Sequence, residues 1–509
     1  GGLERIAPYE VYPHAGLKES YRTAFGLDEL PHYDISQADF LLSLGGDPLG
    51  TWLSPVEHSR QFANGLKKRT WIHLEGHLTL SGSKATHRLP IKVGSEPVFL
   101  AWLLKQAPHK MPLPSSIVDA VESFSTEDVS TRCGIPEESL VAILDEIGNA
   151  SRPLLLLADE TLPSASQESA GLLAALLQYA WGSMGHGVDF DHSYNVGTSA
   201  TGQWLELAGR LEKGDIGVVV LTGIHSLDTL PTLRDALEKA DYKVALTDLP
   251  LPLAQRCDWI LPTSHTIESW GDSNPRKGLW AIHEPALPRP LFDTKPLGQI
   301  LLDLLSQDTS WEDYVKTFHE RLGLTLKEGV AITPTSHVAV EPAPEARLAV
   351  QALNFPPTPK GPFLVATPSI RHFDGRSKPL PLLHEIPEPL TVVSYGDNMV
   401  LSMDDGNAMG IEDGSIVKVA TDNGDVELPV RLLPFLDKGT AAVSIANLAG
   451  FQWPHDAKGR WSPVIPAQAF ESTGQKKTLA VLSGSLNAKG RGVFPHDSAF
   501  EHSVTDHRT

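Results

Sequence analysis

Only two cysteines, Cys133 and Cys257, occur in the 509 residues, and they stand far apart. So few thiols exclude a disulfide framework, a Cys-based zinc site and an all-Cys iron–sulfur cluster built from this chain alone. They leave the redox compartment open. Positive charge is also in deficit: 42 Lys and Arg against 62 Asp and Glu give a formal charge of −20. No stretch concentrates basic side chains into the face that grips a nucleic-acid backbone. Long apolar runs are missing too. The longest, around Leu154 to Ala158 and Ile216 to Leu221, fall far short of the roughly 20 residues that span a bilayer, so membrane association is expected through a partner. The chain opens on Gly rather than Met, without a charged and apolar leader; the expectation is a processed chain or one whose upstream part is missing.

Several catalytic signatures are absent as well. Gly45 and Gly50 have the spacing of a phosphate-binding P-loop, but Thr51 and Trp52 stand where its Lys and Ser or Thr belong, and without that Lys nothing holds the terminal phosphates. The dinucleotide fingerprint G-x-G-x-x-G is missing, so neither ATP nor NAD is expected. There is no G-x-S-x-G elbow, and neither cysteine adjoins a histidine, so nucleophilic catalysis has no candidate.

What is present is a strand, a glycine turn and a helix that occur twice. In ADFLLSLGGDPLGTWLSPVEHSRQF (38–62), Phe40 to Leu44 is a run that can be buried on both faces. Gly45 and Gly46 permit a tight turn, and Pro55 sits where a helix begins. The second copy has Val218 to Leu221, a turn through Gly223, Ser226 and Asp228, and a predicted helix from Thr229 to Lys239 capped by Asp228. Each copy continues into a strand, Trp71 to Leu74 or Lys243 to Leu246, ending near an acidic residue, Glu75 or Asp248. Each then reaches a Leu-Pro pair, Leu89-Pro90 or Leu261-Pro262. An α/β fold with two Rossmann-like domains follows.

The chain divides accordingly. Residues 1–150 form the first α/β domain, closing in a helical connection with helices over Val118 to Phe124 and Pro136 to Ile147. Residues 151–330 form the second, with a first strand from Leu154 to Ala158 and a helix from Ser166 to Trp181. Residues 331–360 are a linker rich in Pro and Ala. Residues 361–475 carry short strands with turn punctuation, and Asn423-Gly424 between alternating runs marks a hairpin, so a small β-barrel is expected. Residues 476–509 form a polar tail expected to lie across a surface or a partner.

Four polar groupings remain. His73 and His77 are four apart but sit at the end of a strand with Gly76 between them, where helical metal-ligand spacing loses its meaning. His186, Asp189, Asp191 and His192 gather in a Gly-containing loop, either as metal ligands or as ordinary turn chemistry. The run from Glu268 to Arg276, ESWGDSNPR, follows the last apolar strand of the second domain, where open α/β sheets place ligand loops; with Trp270 and Trp280 it serves equally as a packing loop. The fourth grouping is the pair of glycine turns themselves.

These residues carry a family resemblance. The 38–62 segment, then CDWILPTSHTIESWGDSNPRKGLW with PLFDTKPLG, and AMGIEDGSIVKVATDNGDVELPV resemble the molybdopterin-oxidoreductase superfamily. Within it, GTWLSPVEHSRQF and ESWGD are most similar to the molybdopterin-like large subunit of alternative complex III, a membrane quinol-oxidising complex that passes electrons towards cytochrome c or an oxidase. The resemblance covers about Tyr9 to Arg491. It implies two pseudo-symmetric α/β domains and a C-terminal double-psi β-barrel. In catalytic members these hold molybdopterin guanine dinucleotide with Mo or W, and the loops equivalent to Gly46 and Asp47 and to Ser226 and Asp248 face the dinucleotide ends. The metal ligand and the iron–sulfur region lie in an N-terminal part that this chain does not contain, and neither Cys133 nor Cys257 matches the ligand position. The resemblance therefore implies a cofactor-free subunit with no catalytic or metal residues of its own and with vestigial loops at Gly46, Asp47, Ser226 and Asp248. The alternative is a Mo or W enzyme whose cluster region lies elsewhere, with Gly46, Asp47, Ser226 and Asp248 on the dinucleotide and the His186 to His192 cluster lining a funnel. Expected partners are an iron–sulfur subunit or domain, multihaem cytochrome c subunits and a polytopic quinol-binding membrane subunit. The expected place is the outer, periplasmic face of the cytoplasmic membrane, reached by twin-arginine export. LAVLSGSLNAKGRGVFP looks like a junction to a cluster-bearing segment, yet no cluster motif follows it.

Overall fold

In a computed structural model, residues 6–65, 69–196, 201–249, 251–324, 329–355, 361–434, 436–456 and 460–481 are described. They fall into two units: Gly16–Asp28 with Asp34–Gly187 and Glu341–Thr509, and Gly1–Ala15 with Glu29–Tyr33 and Val188–Val340.

The larger unit contains a four-stranded parallel sheet ordered His87–Pro90, Thr70–Glu75, Phe40–Leu44, Pro153–Leu157. The two strands with uninterrupted apolar sequence, Phe40–Leu44 and Pro153–Leu157, are buried at every position, as parallel strands covered on both faces must be. Helices Glu96–Gln106 and Ser164–Ala180 pack beside them. Nearly every side of both is buried, from Val98 to Leu104 in the first and Ala170 to Gln178 in the second. This arrangement corrects one expectation. The strand from Leu154 to Ala158, assigned from the sequence to the second domain, runs parallel to Phe40–Leu44, with Leu42 opposite Leu155. An apolar run carries no label for the sheet it joins, and this one returns to the first after the helical connection. Within that connection, Val118 to Phe124 is not a helix. The helices are Ser115–Val118 and Thr126–Cys133, the latter set by a capping box between Ser125 and Asp128, and Glu137–Asn149 follows.

The same unit holds a closed barrel ordered Phe363–Thr367, Thr440–Ser444, Met399–Ser402, Gly424–Leu433, Ser415–Thr421, Val464–Lys476. The Asn-Gly hairpin is as expected: Thr421 pairs with Gly424 and Val419 with Val426. Of the tail, Ala480 and Val481 pair with Ser394 and Val393, and 482–509 lie outside the described residues. The linker is partly built, with a strand Val330–Ile332 and a helix Ala346–Gln351.

In the smaller unit Val218–Thr222, Tyr242–Thr247 and Trp259–Pro262 form a three-stranded parallel sheet. An antiparallel sheet joins Leu30–Tyr33, Val188–Tyr194, Gly271–Arg276, Leu279–His283 and Val330–Ile332. The predicted 229–239 helix is shorter and begins later, at Pro231–Ala236, continuing as a 3-10 turn over Leu237–Lys239. Asp228 does not cap it: its carboxylate lies 3.5 Å from the Arg234 guanidinium, because proline at the first helical position moves the start two residues on. Gly271 to Arg276, expected as loop, is a strand paired to Leu279–His283.

Leu156 is buried in the strand that changes sheets. Leu156→Ala is expected to cost about 3 kcal/mol through lost burial and a cavity. Hydrogen exchange should then quicken in Phe40–Leu44 and stay unchanged in Val218–Thr222; the reverse pattern would return the strand to the other domain.

Candidate functional site

The first glycine turn is closed on itself. The Gly45 N–H donates to the Leu74 carbonyl and that of Gly46 to Leu44, and the N–H groups of Gly50, Thr51 and Trp52 all converge on the Asp47 carbonyl at 2.9–3.0 Å. The Asp47 side chain fills what remains. Its Oδ1 accepts from the Ser81 N–H at 2.9 Å and the Ser81 hydroxyl at 2.5 Å, and Ser81 Oγ in turn accepts from Leu49 N–H at 3.0 Å. Its Oδ2 lies so close over Gly50 that a Cβ there would collide with it. Gly45 takes the left-handed conformation at φ 70° that only glycine adopts without strain. Trp52 is buried against the ring of His58, 5.7 Å between centroids.

Beside this turn a cavity of about 120 Å³ separates the α/β part from the barrel, lined among others by Asp47, His77, Thr161, Glu388, Asn398 and Leu433. Glu388 spends its carboxylate on the Leu390 and Thr391 N–H groups. Pockets for drug-sized ligands run to roughly 300–1,000 Å³, and a pterin guanine dinucleotide is a large member of that class. A phosphate needs unspent N–H donors and a neutral or positive setting. Here the donors are committed within the turn and a carboxylate already occupies it. The residues of this turn do not fit the dinucleotide.

Ser226 and Asp248 belong to the smaller unit, whereas Gly46 and Asp47 belong to the larger. Ser226 Oγ accepts from the Asp228 N–H at 3.0 Å, an ordinary turn bond, and Asp248 sits 3.9 Å from His265. The His186 to His192 grouping does not form one cluster. His192 bonds Asp189 at 2.6 Å, and Asp191 bonds His337 at 3.1 Å and the Val338 N–H at 2.7 Å. The Asp191 bonds fasten the segment after Val330–Ile332 to the strand Val188–Tyr194. Among the described residues no group of three or more His, Cys, Asp and Glu side chains is placed to hold a metal ion. Cys133 is buried and donates to the Ser95 carbonyl, and burial pushes its thiol up to about 12. Around Trp270, the Trp311 indole donates to its carbonyl and Lys316 lies over its ring, while Trp280 packs on Phe318 and His319, the packing alternative for that run.

Sequence reasoning missed a buried polar chain. Ser43 Oγ accepts from the Trp71 indole at 2.7 Å and bonds His73 Nδ1 at 2.5 Å. His73 Nε2 bonds Glu75 at 2.9 Å, and Arg88 bonds the other Glu75 oxygen at 2.5 Å. Serine, histidine and glutamate stand in the order of a hydrolytic triad. Yet Ser43 and His73 are wholly buried and the serine oxygen already accepts the indole N–H, so no substrate reaches it. The only sequence signal was the polar alternation of His73 and Glu75 within an apolar strand. Burial raises the Glu75 carboxyl, but the hydrogen bond and charge of His73, with His77 and Arg88, outweigh it and hold the group at about 2. Nearby, Glu96 is buried, and its Oε2 has no hydrogen-bond partner among the described residues. Burial pushes its carboxyl up to about 7 against backbone bonds from its own turn. Glu75, His77 and Glu96 line a second void of about 20 Å³.

No protein-family model matches the chain. The chain nevertheless has the fold of a molybdopterin enzyme. Acetylene hydratase from Pelobacter acetylenicus superposes with a TM-score of 0.64 over 91% of this chain and 76% of its own, at 13% identity, a likeness of fold alone. In sequence the chain is similar to the menaquinone reductase molybdopterin-binding-like subunit of Nitratidesulfovibrio vulgaris, 26% identical over 345 residues. That match covers 60% of this chain and 50% of the relative, so the chain spans about half the length of the curated relative it matches. The resemblance to the molybdopterin-oxidoreductase superfamily holds on both comparisons.

Two variants test the buried groups. Arg88→Leu leaves the buried Glu75 charge without its guanidinium and is expected to cost about 3–5 kcal/mol in urea unfolding at pH 7; a cost under 1 kcal/mol would show the pair to be idle. Glu96 behaves oppositely with pH. Its folded pKa lies above that of the unfolded chain, so its contribution is complete below about pH 4.5 and is lost as pH rises through 7. Glu96→Gln should therefore leave stability unchanged at pH 4 and raise it by about 3 kcal/mol at pH 8, as read by urea unfolding at both pH values.

Proposed function

We propose that this chain is a structural, molybdopterin-oxidoreductase-like subunit of a membrane quinol:acceptor oxidoreductase of the alternative complex III type. It binds no pterin and carries out no chemistry. Its two Rossmann-like domains and a barrel of double-psi type serve as a body that holds an iron–sulfur subunit, multihaem cytochrome c subunits and a polytopic quinol-binding membrane subunit in register. In this reading it sits on the outer face of the cytoplasmic membrane and takes part in respiratory or photosynthetic electron transfer through those partners.

The observation that carries the reading is the closed turn at Gly45 to Trp52. A glycine loop that cradled phosphate would present its N–H groups outward, whereas this one spends them on Leu74, Leu44 and the Asp47 carbonyl and fills its centre with the Asp47 carboxylate. The similarity to a subunit named for menaquinone reductase and described as molybdopterin-binding-like supports the quinone connection and the multi-subunit setting. Among the described residues no helix is long and apolar enough to cross a membrane.

Elemental analysis of the natively purified assembly for Mo, W and Fe, with a fluorescence assay for released pterin on the same sample, tests this. Iron and haem without Mo, W or pterin is the expected result. About one Mo or W with two pterins per chain would overturn it and favour the catalytic alternative.

A further inference from the structure

Glu96 stands at the first position of the helix Glu96–Gln106, where the N–H groups of a helix start favour a carboxylate. It is 6% exposed all the same, and its Oε2 has no hydrogen-bond partner among the described residues. A buried oxygen left in that state costs about 1–3 kcal/mol. The side chain borders the void of about 20 Å³, whose other walls come from the end of the strand Thr70–Glu75 and from the barrel strands Phe363–Thr367 and Thr440–Ser444, all parts of the larger unit. A void holds one water from about 10–15 Å³ upward, provided that two or more polar groups meet it. Glu96, His77 and Thr161 border this one. The Thr161 hydroxyl gives its proton to the Ala158 carbonyl at 3.0 Å and is left as an acceptor.

His77 also borders the cavity of about 120 Å³ beside the glycine turn, so the two spaces adjoin at a side chain able to move a proton. Burial lowers the His77 pKa against the pull of the Glu75 and Asp47 charges. Near pH 7 the ring is therefore neutral, with one nitrogen a donor and the other an acceptor, the state in which an imidazole passes a proton through itself. Glu75, its carboxyl held at about 2, stays charged, whereas Glu96, pushed up to about 7 by burial, gains and loses its proton near neutrality. Behind Glu96 the Cys133 thiol, raised by burial and further by the Glu96 charge, donates to the Ser95 carbonyl and stays protonated in that range. Lys92 and Arg132 lie about this thiol, Arg88 is committed to Glu75, and Val365 and Thr440 on the barrel side bring no charge.

We propose that Glu96, one water held in the smaller void and His77 form a proton relay, through which a buried carboxyl exchanges its proton with the cavity beside the glycine turn. The Glu96 O–H gives its proton to the water, the water gives one to the accepting nitrogen of His77, and the opposite nitrogen releases one to water in the cavity. The net change is a carboxylic acid converted to a carboxylate and one proton delivered to the cavity, with His77 left as its other tautomer. Transfer in the reverse direction restores both groups. The relay goes beyond the subunit reading and does not depend on it: metal and pterin content decides that reading, and the rate of proton exchange decides this one.

Infrared difference spectroscopy of the natively purified protein after a jump between pH 6 and pH 8 reads the Glu96 carboxyl as the C=O band that Glu96→Gln removes. In His77→Ala this band is expected to relax more slowly by about tenfold or more, and imidazole added to the buffer should restore the rate. His77→Gln keeps a polar group but cannot carry the proton onward, so it should be as slow as His77→Ala, and it supplies the reading where the alanine variant lowers the thermal midpoint. An unchanged rate in both variants would overturn the proposal, because Glu96 would then exchange by another route. Slowing that imidazole does not relieve would make His77 a packing residue and overturn it too. So would the lack of any band removed by Glu96→Gln between these pH values, or a high-resolution crystal structure in which no water joins Glu96 to His77.

Discussion

The hydrogen-bonded chain from Trp71 through Ser43, His73 and Glu75 to Arg88 is the constraint around which the larger unit is arranged. Ser43, His73 and Arg88 stand in one row across three neighbouring strands, Ser43 opposite His73 and His73 opposite Arg88. Trp71 and Glu75 lie two residues before and after His73 on the same face. A shift of one residue in any of these strands would turn its member of the row to the other face and leave a buried charge or hydroxyl unpaired. The network therefore specifies register where leucine-rich strands alone would allow slippage. It also explains why Gly82 is glycine, since a Cβ there would collide with the Glu75 carboxylate.

Register in turn sets the loop. Leu44 ends its strand opposite Leu74, and the carbonyls of these two residues receive the Gly46 and Gly45 N–H groups. The turn starts from a position that the polar row has fixed. On the far side it is tied to the short helix Leu80–Lys84, where Thr79 accepts from the Gly82 N–H and Asp47 from that of Ser81. The opposite pH responses of Glu75 and Glu96 follow from the same burial. One carboxylate has a histidine and a guanidinium to outweigh desolvation, and the other has only backbone bonds.

How much of this is legible in the sequence depends on whether the determinant is local. The strand, glycine turn and helix at 38–62 are legible because an apolar run, two glycines and a proline each act within a few residues. The hairpin at Asn423-Gly424 is legible for the same reason. The partner of Leu154 to Ala158 is not, since four leucines and an alanine fit the centre of any parallel sheet. Asp228 reads as a helix cap only until Pro231 takes the first helical position. At the site, Asp47 is visible as a candidate, but its direction is not. Whether that carboxylate faces a ligand or turns inward to Ser81 depends on a contact 34 residues away in sequence. The Ser43, His73 and Glu75 relation depends likewise on strand pairing, which spacing alone does not reveal.

A glycine turn between a parallel strand and a helix gathers N–H groups at one point, and an unpaired buried N–H costs about 1–3 kcal/mol. A fold that binds phosphate there offers those N–H groups to its ligand. In this chain the acceptors are covalent: the Asp47 carbonyl takes three N–H groups and its carboxylate takes Ser81. The turn is thus held by hydrogen bonds within the chain itself. A loop stabilised in this way has little affinity left for an anion, because binding would have to displace a carboxylate from two hydrogen bonds and then repel it. With the Asp47 carboxylate turned inward to Ser81, the centre of the turn is held by groups of the chain itself, the arrangement that the proposed cofactor-free reading would require.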